Sequence, residues 1–285
     1  MIAVDKAKET KQASCELTCQ CFGLHRDAYY KYKKRHAAKL EVEKQVVELV
    51  QHERIEQPRM GTRKLLMTLH ITFNLLGLKV GRDELYRILR KYDMLVGRKK
   101  ATCRTTDSYH HFHKYNNLIK DMETTRPNQV WVSDITYIRT YNGFCYLALI
   151  TDLYSRKIVG YDISNSLELA GCLRALKRAL KTHKPDNGLI HHSDRGVQYC
   201  SNEYVRILKN NKCLISMTEQ NHCYENAVAE RVNGILKDEF YLDQSFSGLK
   251  EAKHATKNAV NIYNNKRLHL SLDYKTPDQV FSLVG

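Results

Sequence analysis

The sequence predicts an α/β protein in which an all-α helix-turn-helix region precedes a mixed five-stranded sheet with helices on both faces. Three observations lead to this fold class. The chain has 285 residues, enough for about two domains. Residues 1–127 are basic and repeat apolar side chains at helical spacing. From Gln129 onward, short runs that are apolar on both alternating faces predict buried strands.

The charge of the chain predicts a nucleic-acid partner. Lys and Arg number 46 against 31 Asp and Glu, a net charge of +15, and residues 1–127 hold 26 of these basic residues but 15 of the acidic ones. Such an excess favours a polyanion, and no apolar run is long enough to span a membrane. The charged start MIAVDKAKET is unlike a secretory signal, so we expect a cytoplasmic protein.

Nine cysteines, an odd number, indicate free thiols in a reducing compartment. A zinc site formed by Cys15, Cys19, Cys21 and His25 is the alternative. These residues lack the paired CxxC spacing of zinc fingers, so buried cysteines are the favoured interpretation.

The first helix-turn-helix outline occupies residues 1–40. Helices are predicted over Gln12–Phe22 and His25–Arg35, with Gly23 as the turn between them. A plain helical hairpin explains this pattern equally well, so DNA contact here is an open alternative.

A second, better-formed outline occupies residues 41–96. It contains a helix over Glu41–His52, a helix capped by Thr62, and a helix over Arg82–Leu95 with acidic residues in its first turn. A solvated basic face is the competing interpretation of the last helix. Its side chains that we predict to contact DNA are Arg82, Arg87 and Lys91.

Residues 97–127 are predicted to form a basic linker that ends at Pro127. The sheet domain is expected over residues 128–245. A final helix and tail, residues 246–285, are expected to pack against it.

The sheet domain follows from alternating strand-like and helical runs. The predicted strands are VWVSDITYI (130–138), FCYLALITD (144–152), KIVGYDI (157–163), LIHHSD (189–194) and CLISMT (213–218). Helices are predicted over residues 167–183, 202–209 and 225–241. The order βββαβαβα joins an antiparallel meander to parallel units, which is the arrangement of a ribonuclease H-like sheet.

Three carboxylates lie at positions where this strand order would bring them close together. Asp134 lies inside the first strand, Asp194 ends the fourth, and Glu230 lies on the last helix. Taken singly, each has an ordinary structural explanation. Asp134 would make a buried hydrogen bond, Asp194 would belong to a turn, and Glu230 would lie on a solvated helix face. Taken together they predict a site, because the first and fourth strands are neighbours in this order and the helix packs over them.

Clustered carboxylates repel one another and need a cation. Oxygen ligands without Cys or His select Mg²⁺ or Mn²⁺. Two such ions activate an attacking oxygen and stabilise a leaving oxygen at a phosphodiester. We therefore predict that Asp134 bridges two ions and that Asp194 and Glu230 each hold one.

A polar stripe runs along the last helix, formed by Asn226, Glu230, Asn233 and Lys237. A solvated face is the ordinary explanation of such a stripe. If the stripe faces the carboxylates instead, Lys237 reaches a phosphate, and Asn226 and Asn233 hydrogen-bond DNA.

These motifs carry a family resemblance. Thirty-five residues separate Asp194 from Glu230, and Lys237 follows seven residues later, which resembles the Asp-Asp-Glu core of retroviral integrases and related transposases. The segments WVSDITYI, HHSDRGVQY and ENAVAERVNGILKDEF together resemble the second-frame transposases of bacterial insertion sequences of the IS-three and IS-one-fifty type. MGTRKLL and VGRDELYRILRKYDML are similar to that family's helix-turn-helix region. The resemblance covers nearly the whole chain, although the loop over residues 220–224 lacks the glycine usual in the family.

The resemblance implies a Mg²⁺-dependent transposase that cuts the ends of an insertion sequence and joins them to target DNA. It also implies double-stranded DNA as substrate, a homo-oligomer on DNA, a place beside the bacterial nucleoid, and fusion to a first-frame protein in some relatives. One alternative is a catalytically inert DNA-binding regulator from a decayed element. Another is a ribonuclease H-type hydrolase, which the long basic front half disfavours.

Overall fold

The computed structural model describes residues 2–10, 13–97, 111–219 and 226–283. The chain divides into two compact units, one formed by residues up to Ile55 together with Gly61–Leu95, the other by Glu56–Met60 and the residues from Val96 onward. Within the described ranges, no helix is both long enough and apolar enough to cross a membrane.

The first unit is built from helices. They are α1 (Ile2–Glu9), α2 (Cys15–Cys21), α3 (Arg26–Glu56), α4 (Thr62–Leu75) and α5 (Arg82–Lys91). The two helices predicted over His25–Arg35 and Glu41–His52 are one continuous helix, so the predicted boundary between residues 40 and 41 is wrong. The intervening residues HAAKL contain neither Gly nor Pro, and a helix propagates through such residues at little cost.

Helices α4 and α5 form the second predicted helix-turn-helix. Gly77 has a φ of 68° in the turn between them, a backbone conformation that favours glycine. Leu69 and Phe73 of α4 and Leu85 of α5 are buried. The second helix ends at Lys91, shorter than the prediction, and Asp93 follows with a φ of 53°.

The second unit is organised around a five-stranded sheet in the described residues. Its strands are β1 (Val130–Thr140), β2 (Gly143–Asp152), β3 (Ile158–Ser164), β4 (Ile190–Ser193) and β5 (Leu214–Met217). They lie in the order β3-β2-β1-β4-β5, with β1 antiparallel to β2 and parallel to β4. The mixed α/β fold class is confirmed, and the first and fourth strands are neighbours.

Helices cover both faces of this sheet. They are α6 (Leu169–His183), α7 (Val197–Cys200), α8 (Asn202–Asn210), α9 (Ala227–Glu239), α10 (Leu249–Asn265) and α11 (Pro277–Ser282). On one face, Trp131 of β1 is buried with Leu176 of α6 and Tyr204 of α8. On the other, Leu147 of β2 is buried with Leu236 of α9 and with side chains of α10. The second of these cores fixes α9 against the face that carries Asp134.

The second half of the predicted linker belongs to the sheet domain. Residues 98–110 lie outside the described ranges, but Phe112 and Tyr115 pack against the core on the α6 face. The N–H of Leu118 donates a 2.8 Å hydrogen bond to Ser216 Oγ beside β5. The predicted linker up to Pro127 is therefore too long, because scattered apolar residues in its second half pack on the sheet despite its polar composition.

The cysteines within the described ranges are free thiols, as predicted. Those that are buried are Cys19, Cys145, Cys172, Cys200 and Cys213, while Cys15 and Cys21 are more accessible. Cys103 and Cys223 lie outside the described residues.

Candidate active site

Asp134 of β1 and Asp194, the residue directly after β4, occupy matching positions along two neighbouring parallel strands. The last register pair between β1 and β4 joins Ser133 to Ser193, and each aspartate follows its serine directly. Neighbouring strands lie about 4.8 Å apart, and residues at the same register point to the same face. The sheet therefore brings these two acids side by side, as the strand order predicted.

Asp134 is half-buried, and both of its carboxylate oxygens accept hydrogen bonds. Oδ1 accepts from the N–H of Ile135 at 2.9 Å. Oδ2 accepts from Nδ2 of Asn233 at 2.7 Å. The carboxylate is thus held in one orientation by its own strand and by α9.

Asp194 is held by the turn that follows β4. Its Oδ1 accepts a 3.0 Å hydrogen bond from the N–H of Gly196. A Cβ added at Gly196 would lie 3.0 Å from the same Oδ1, so glycine allows the backbone to approach the carboxylate. The DRG sequence after β4 therefore sets the position of the Asp194 carboxylate.

Helix α9 is attached to β1 by two asparagines. Nδ2 of Asn226, the residue before the helix, donates to the carbonyl oxygen of Ser133 at 3.1 Å. Seven residues later, Nδ2 of Asn233 donates to Asp134. Both asparagines are 5% exposed, so the prediction that they hydrogen-bond DNA is corrected. They lie two helical turns apart on one face and meet consecutive residues of the strand.

Glu230 lies between these two attachment points and is exposed. Lys237, one further step along the stripe, is half-buried. Burial lowers the pKa of Lys237, while the nearby carboxylates of Asp134 and Asp243 act to raise it. The polar stripe therefore faces the strand carboxylates and not bulk water alone. The loop before the helix, residues 220–225, lies outside the described residues.

The pKa of Asp134 responds to burial and to the charges of the other two carboxylates. Burial, followed by the negative charges of Asp194 and Glu230, raises its pKa to about 7, against the opposing hydrogen bonds from Ile135 and Asn233. Burial disfavours the charged form, and like charges add to that effect. The site concentrates negative charge that a cation would relieve.

The three carboxylates do not form a closed cage. Among the side chains that the structure describes, no three His, Cys, Asp or Glu residues are arranged to hold one metal ion. The Asn233 amide already occupies one oxygen of Asp134. The Oδ1 atoms of Asn226 and Asn233 are buried and lack a hydrogen-bond partner within the described ranges, which leaves two acceptors beside the site.

A buried polar group on the opposite face supports β1, and the sequence analysis missed it. Nε2 of His191 lies 2.8 Å from Ser133 Oγ and 3.0 Å from the hydroxyl of Tyr204. Burial lowers the pKa of His191 to about 3, so the ring is neutral. A neutral ring carries one N–H, so its tautomer sets which group donates in each of these two hydrogen bonds. The available signal was the pair of histidines in the short run LIHHSD, directly before Ser193 and Asp194.

In the first unit, two of the basic residues predicted to contact DNA bind an internal carboxylate. Glu43 of α3 is 2% exposed and accepts from Nη2 of Arg87 at 2.6 Å and from Nζ of Lys91 at 2.5 Å. Although burial raises the pKa of Glu43, the hydrogen bonds from Lys91 and Arg87 hold it at about 2. Arg82 is exposed and pairs with its neighbour Asp83. The predicted contacts Arg87 and Lys91 thus connect α5 to α3.

Comparison with known proteins adds to this geometry. Residues 124–223 match the family described as integrase core domain, and residues 211–277 match a second family of the same description. The chain is 35% identical over 270 residues to the insertion element IS600 uncharacterized 31 kDa protein of Shigella sonnei, covering 91% of this chain and 95% of that protein.

Two further relatives have functional names. The chain is 34% identical to the transposase for insertion sequence element IS629 of Shigella sonnei, over 70% of this chain and 68% of that protein. It is 30% identical to the putative transposase InsK for insertion sequence element IS150 of Escherichia coli strain K12, over 83% of this chain and 81% of that protein.

Among solved structures, the fold is similar to a chain of the simian T-cell lymphotropic virus intasome in complex with PP2A regulatory subunit B56 gamma. The TM-score is 0.50 at 19% sequence identity, over 79% of this chain and 72% of that chain. This similarity concerns the fold.

Proposed function

This chain belongs to the insertion-sequence transposases with an integrase core domain, and from that premise we propose that Asp134, Asp194 and Glu230 are the carboxylates with which it cuts and joins DNA. The observation that carries the proposal is the convergence of three sequence-distant acids, two by strand register and one by the asparagine-anchored helix. The transposase function follows from the family; the assignment of these residues is our inference.

The donor chemistry of the site fits Mg²⁺ or Mn²⁺. All three side chains offer carboxylate oxygens, which hard divalent cations prefer. Burial raises the pKa of Asp134 and the negative charges of Asp194 and Glu230 add to this effect, which supports a cation at this position. We infer that Asp134, Asp194 and Glu230 would hold two such ions, because clustered carboxylates repel one another and need cations. When bound, such ions activate an attacking oxygen and stabilise the leaving oxygen of a phosphodiester.

The proposed reaction has two chemically similar steps. In the first, the oxygen of water bonds to phosphorus at the element end, the bond from phosphorus to the 3′ oxygen breaks, and a 3′-OH and a 5′-phosphate result. In the second, that 3′-OH bonds to phosphorus of the target strand, and the target's own 3′ oxygen leaves with a proton. No covalent bond to the protein forms in either step.

The surrounding side chains have positioning roles in this proposal. Asn233 holds Asp134 in orientation, and Gly196 holds Asp194. Lys237, whose pKa the Asp134 carboxylate acts to raise, would bind a phosphate oxygen of the DNA strand in this proposal. Its partial burial weakens its hydration, which strengthens an ion pair with a phosphate.

Double-stranded DNA is the proposed partner of both units. The net positive charge of residues 1–127 supports a phosphate-binding role for the first unit. Oligomerisation on DNA, and fusion to a first-frame protein, are proposals that rest on the family resemblance.

A nicking assay tests the catalytic assignment. The substrate is a labelled duplex that ends in the inverted repeats flanking the gene, incubated with Mg²⁺ and the full chain. We expect Glu230→Gln to reduce nicking by more than roughly 100-fold, the effect of losing several kcal/mol of transition-state stabilisation. Glu203→Gln, an exposed glutamate on α8, is the matched control and should nick normally.

Two outcomes contradict the proposal in different ways. Full nicking by Glu230→Gln would show that another residue is the third carboxylate. A native chain that binds the duplex tightly but never nicks it, with Mg²⁺ or Mn²⁺, would support the inert DNA-binding regulator instead.

A further inference from the structure

The hairpin formed by β1 and β2 carries three aromatic side chains on one face near its tip. Register pairs Tyr137 with Tyr146 and Arg139 with Phe144, and paired residues share a face. The ring centroid of Tyr137 lies 5.2 Å from that of Tyr146 and 5.9 Å from that of Phe144, and both pairs pack edge to face. We name Tyr137, Phe144 and Tyr146 the aromatic patch.

The patch continues the face that α6 covers further along the strands. Trp131 of β1 and Ala148 of β2 are buried on this face, and alternation places the patch residues on the same side. Phe144 is nevertheless 51% exposed, and Tyr137 and Tyr146 are half-buried. The hairpin tip therefore leaves its aromatic rings accessible.

The charge beside the patch is positive. Arg139 is exposed and lies opposite Phe144 in the register. An acid on this face, Asp162 of β3, already accepts from Arg174 at 2.7 Å and from Arg178 at 2.8 Å. Aromatic rings stack on nucleobases, and a guanidinium group beside them can bind the adjoining phosphate, so this surface suits a nucleotide.

The patch is close to the candidate active site. Tyr137 follows Asp134 by three residues on the same strand, a distance of roughly 10 Å at the rise of a β-strand. Pairing of β1 with β4 ends at Ser133, and the next partner on that side is Phe246, which bridges to Thr140. Within the described ranges, no strand pairs with β1 on that side between these two points, so this stretch of β1 lies between the face of Asp134 and the face of the patch. Arg139 is close enough to Lys237 to act on its pKa, which indicates positive charge along that edge.

We propose that the aromatic patch binds an unpaired nucleobase of the DNA strand whose phosphodiester lies at Asp134. This inference rests on the proposed function and names a feature of its substrate, a strand end that is locally single-stranded. A nucleobase stacks on Phe144 or Tyr137, and Arg139 contacts the adjoining phosphate. Stacking on aromatic rings is independent of base identity, so the patch holds the strand without selecting its sequence.

A second copy of this chain is the competing occupant of an exposed aromatic surface. A symmetric contact through this surface would bring the exposed Arg139 side chains of both copies into one interface, and their like charges oppose association. Phosphate groups have the complementary charge. DNA is therefore the occupant that the charges favour.

The test measures binding of two probes to the full chain in EDTA, which separates binding from metal-dependent chemistry. One probe is a short single-stranded oligonucleotide that contains 2-aminopurine, whose fluorescence falls when it stacks. The other is a blunt duplex of the same sequence. We expect Phe144→Ala to weaken single-strand binding roughly 10-fold, the effect of one lost stack. Its affinity for the blunt duplex should be unchanged.

Three variants make the result specific. Phe144→Trp should retain single-strand affinity and fluorescence quenching, whereas Phe144→Leu, which keeps apolar volume without a π face, should behave like Phe144→Ala. Leu214→Ala is the matched control, since Leu214 is 50% exposed on β5 at the opposite edge of the sheet. It should leave binding of both probes unchanged.

Several results would overturn the inference. Wild-type single-strand affinity in Phe144→Leu would show that stacking is not involved. A change in sedimentation of Phe144→Ala without a change in single-strand affinity would assign the patch to a contact between copies. Failure of the proposed catalytic function is seen separately, as absent Mg²⁺-dependent nicking, and leaves these binding results interpretable.

Discussion

The Nδ2 atom of Asn233 donates a 2.7 Å hydrogen bond to Oδ2 of Asp134, and this bond ties α9 to the strand that carries the central carboxylate. The same helix carries Glu230 on the intervening turn. The bond stabilises the charged form of Asp134, since a hydrogen bond to a carboxylate favours ionisation.

Removing this bond should shift the ionisation of Asp134 in the metal-free protein. In Asn233→Ala, Asp134 loses a donor, so its pKa rises above about 7 and the carboxylate ionises at higher pH. We expect the midpoint of this ionisation to move up by about one unit, equivalent to ~1.4 kcal/mol. The measurement is an NMR titration of the Asp134 carboxyl group in EDTA across roughly pH 5 to 9. Asn210→Ala, at an exposed position, should keep the native profile.

The stability of the metal-free protein should fall as pH rises from about 4 to about 7. Asp134 has a pKa raised from 3.8 to about 7 in the folded state, so the folded chain keeps a proton that the unfolded chain releases in this range. Below this range both states are protonated and the burial cost is absent; above it the folded chain carries a buried charge. Asp134→Asn should flatten this dependence and stabilise the metal-free protein at pH 7.5 by on the order of 1–4 kcal/mol.

Urea unfolding in EDTA at pH 5 and pH 7.5 measures this difference. The comparison is between the native chain and Asp134→Asn, so that other titrating groups cancel. Equal destabilisation by the variant at both pH values would contradict the assignment of the effect to Asp134.

The Glu43 cluster should support the first unit and not the chemistry. Glu43→Gln removes the charge that Arg87 and Lys91 bind, and we expect a loss of roughly 2 kcal/mol of stability. Because the pKa of Glu43 is lowered to about 2, its contribution is complete above about 4.5 and is lost as pH falls towards 2. Hydrogen exchange of the backbone amides of α3 and α5 measures this loss of stability. Glu48→Gln, exposed on the same helix, should show native protection.

DNA binding by the first unit should depend on the arginines of α5 that do not bind Glu43 of α3. Arg90 is exposed on α5, as is Arg82. Replacing either by Ala should reduce the slope of log affinity against log salt by about 1 without changing the melting temperature. Lys91→Ala should instead lower the melting temperature. Fluorescence anisotropy of a labelled duplex over a range of salt concentrations separates these results, and an unchanged slope in both arginine variants would place the DNA contact elsewhere.

Local sequence patterns were sufficient to predict the strands and helices of the sheet domain. Short runs that are apolar on both faces predicted each strand. Asp134 lies within one of these strands and Asp194 at the end of another, so the strand order makes them neighbours. Strand and helix signals extend over a few residues, so they are present in the sequence itself.

The directions of several side chains could not be derived in this way. Asn226, Glu230, Asn233 and Lys237 form one stripe in the sequence, yet two of them bind β1 and one is exposed. The division depends on which turn of α9 lies over which residue of the strand, about a hundred residues earlier in the chain. In the same way, Arg87 resembled a solvated arginine because nothing near it in sequence reveals Glu43.

The sequence alone determined the order of helices and strands, the family to which they belong, and which acids are candidates for catalysis. Hydrophobic periodicity and motif spacing are local properties, and they survive without knowledge of the fold. Only the tertiary structure decided that Asn233 holds Asp134, that Arg87 and Lys91 bind an internal carboxylate, and that aromatic rings remain exposed at the hairpin tip. Those outcomes depend on packing between distant segments, where burial and the need to satisfy each polar group decide which partner a side chain finds.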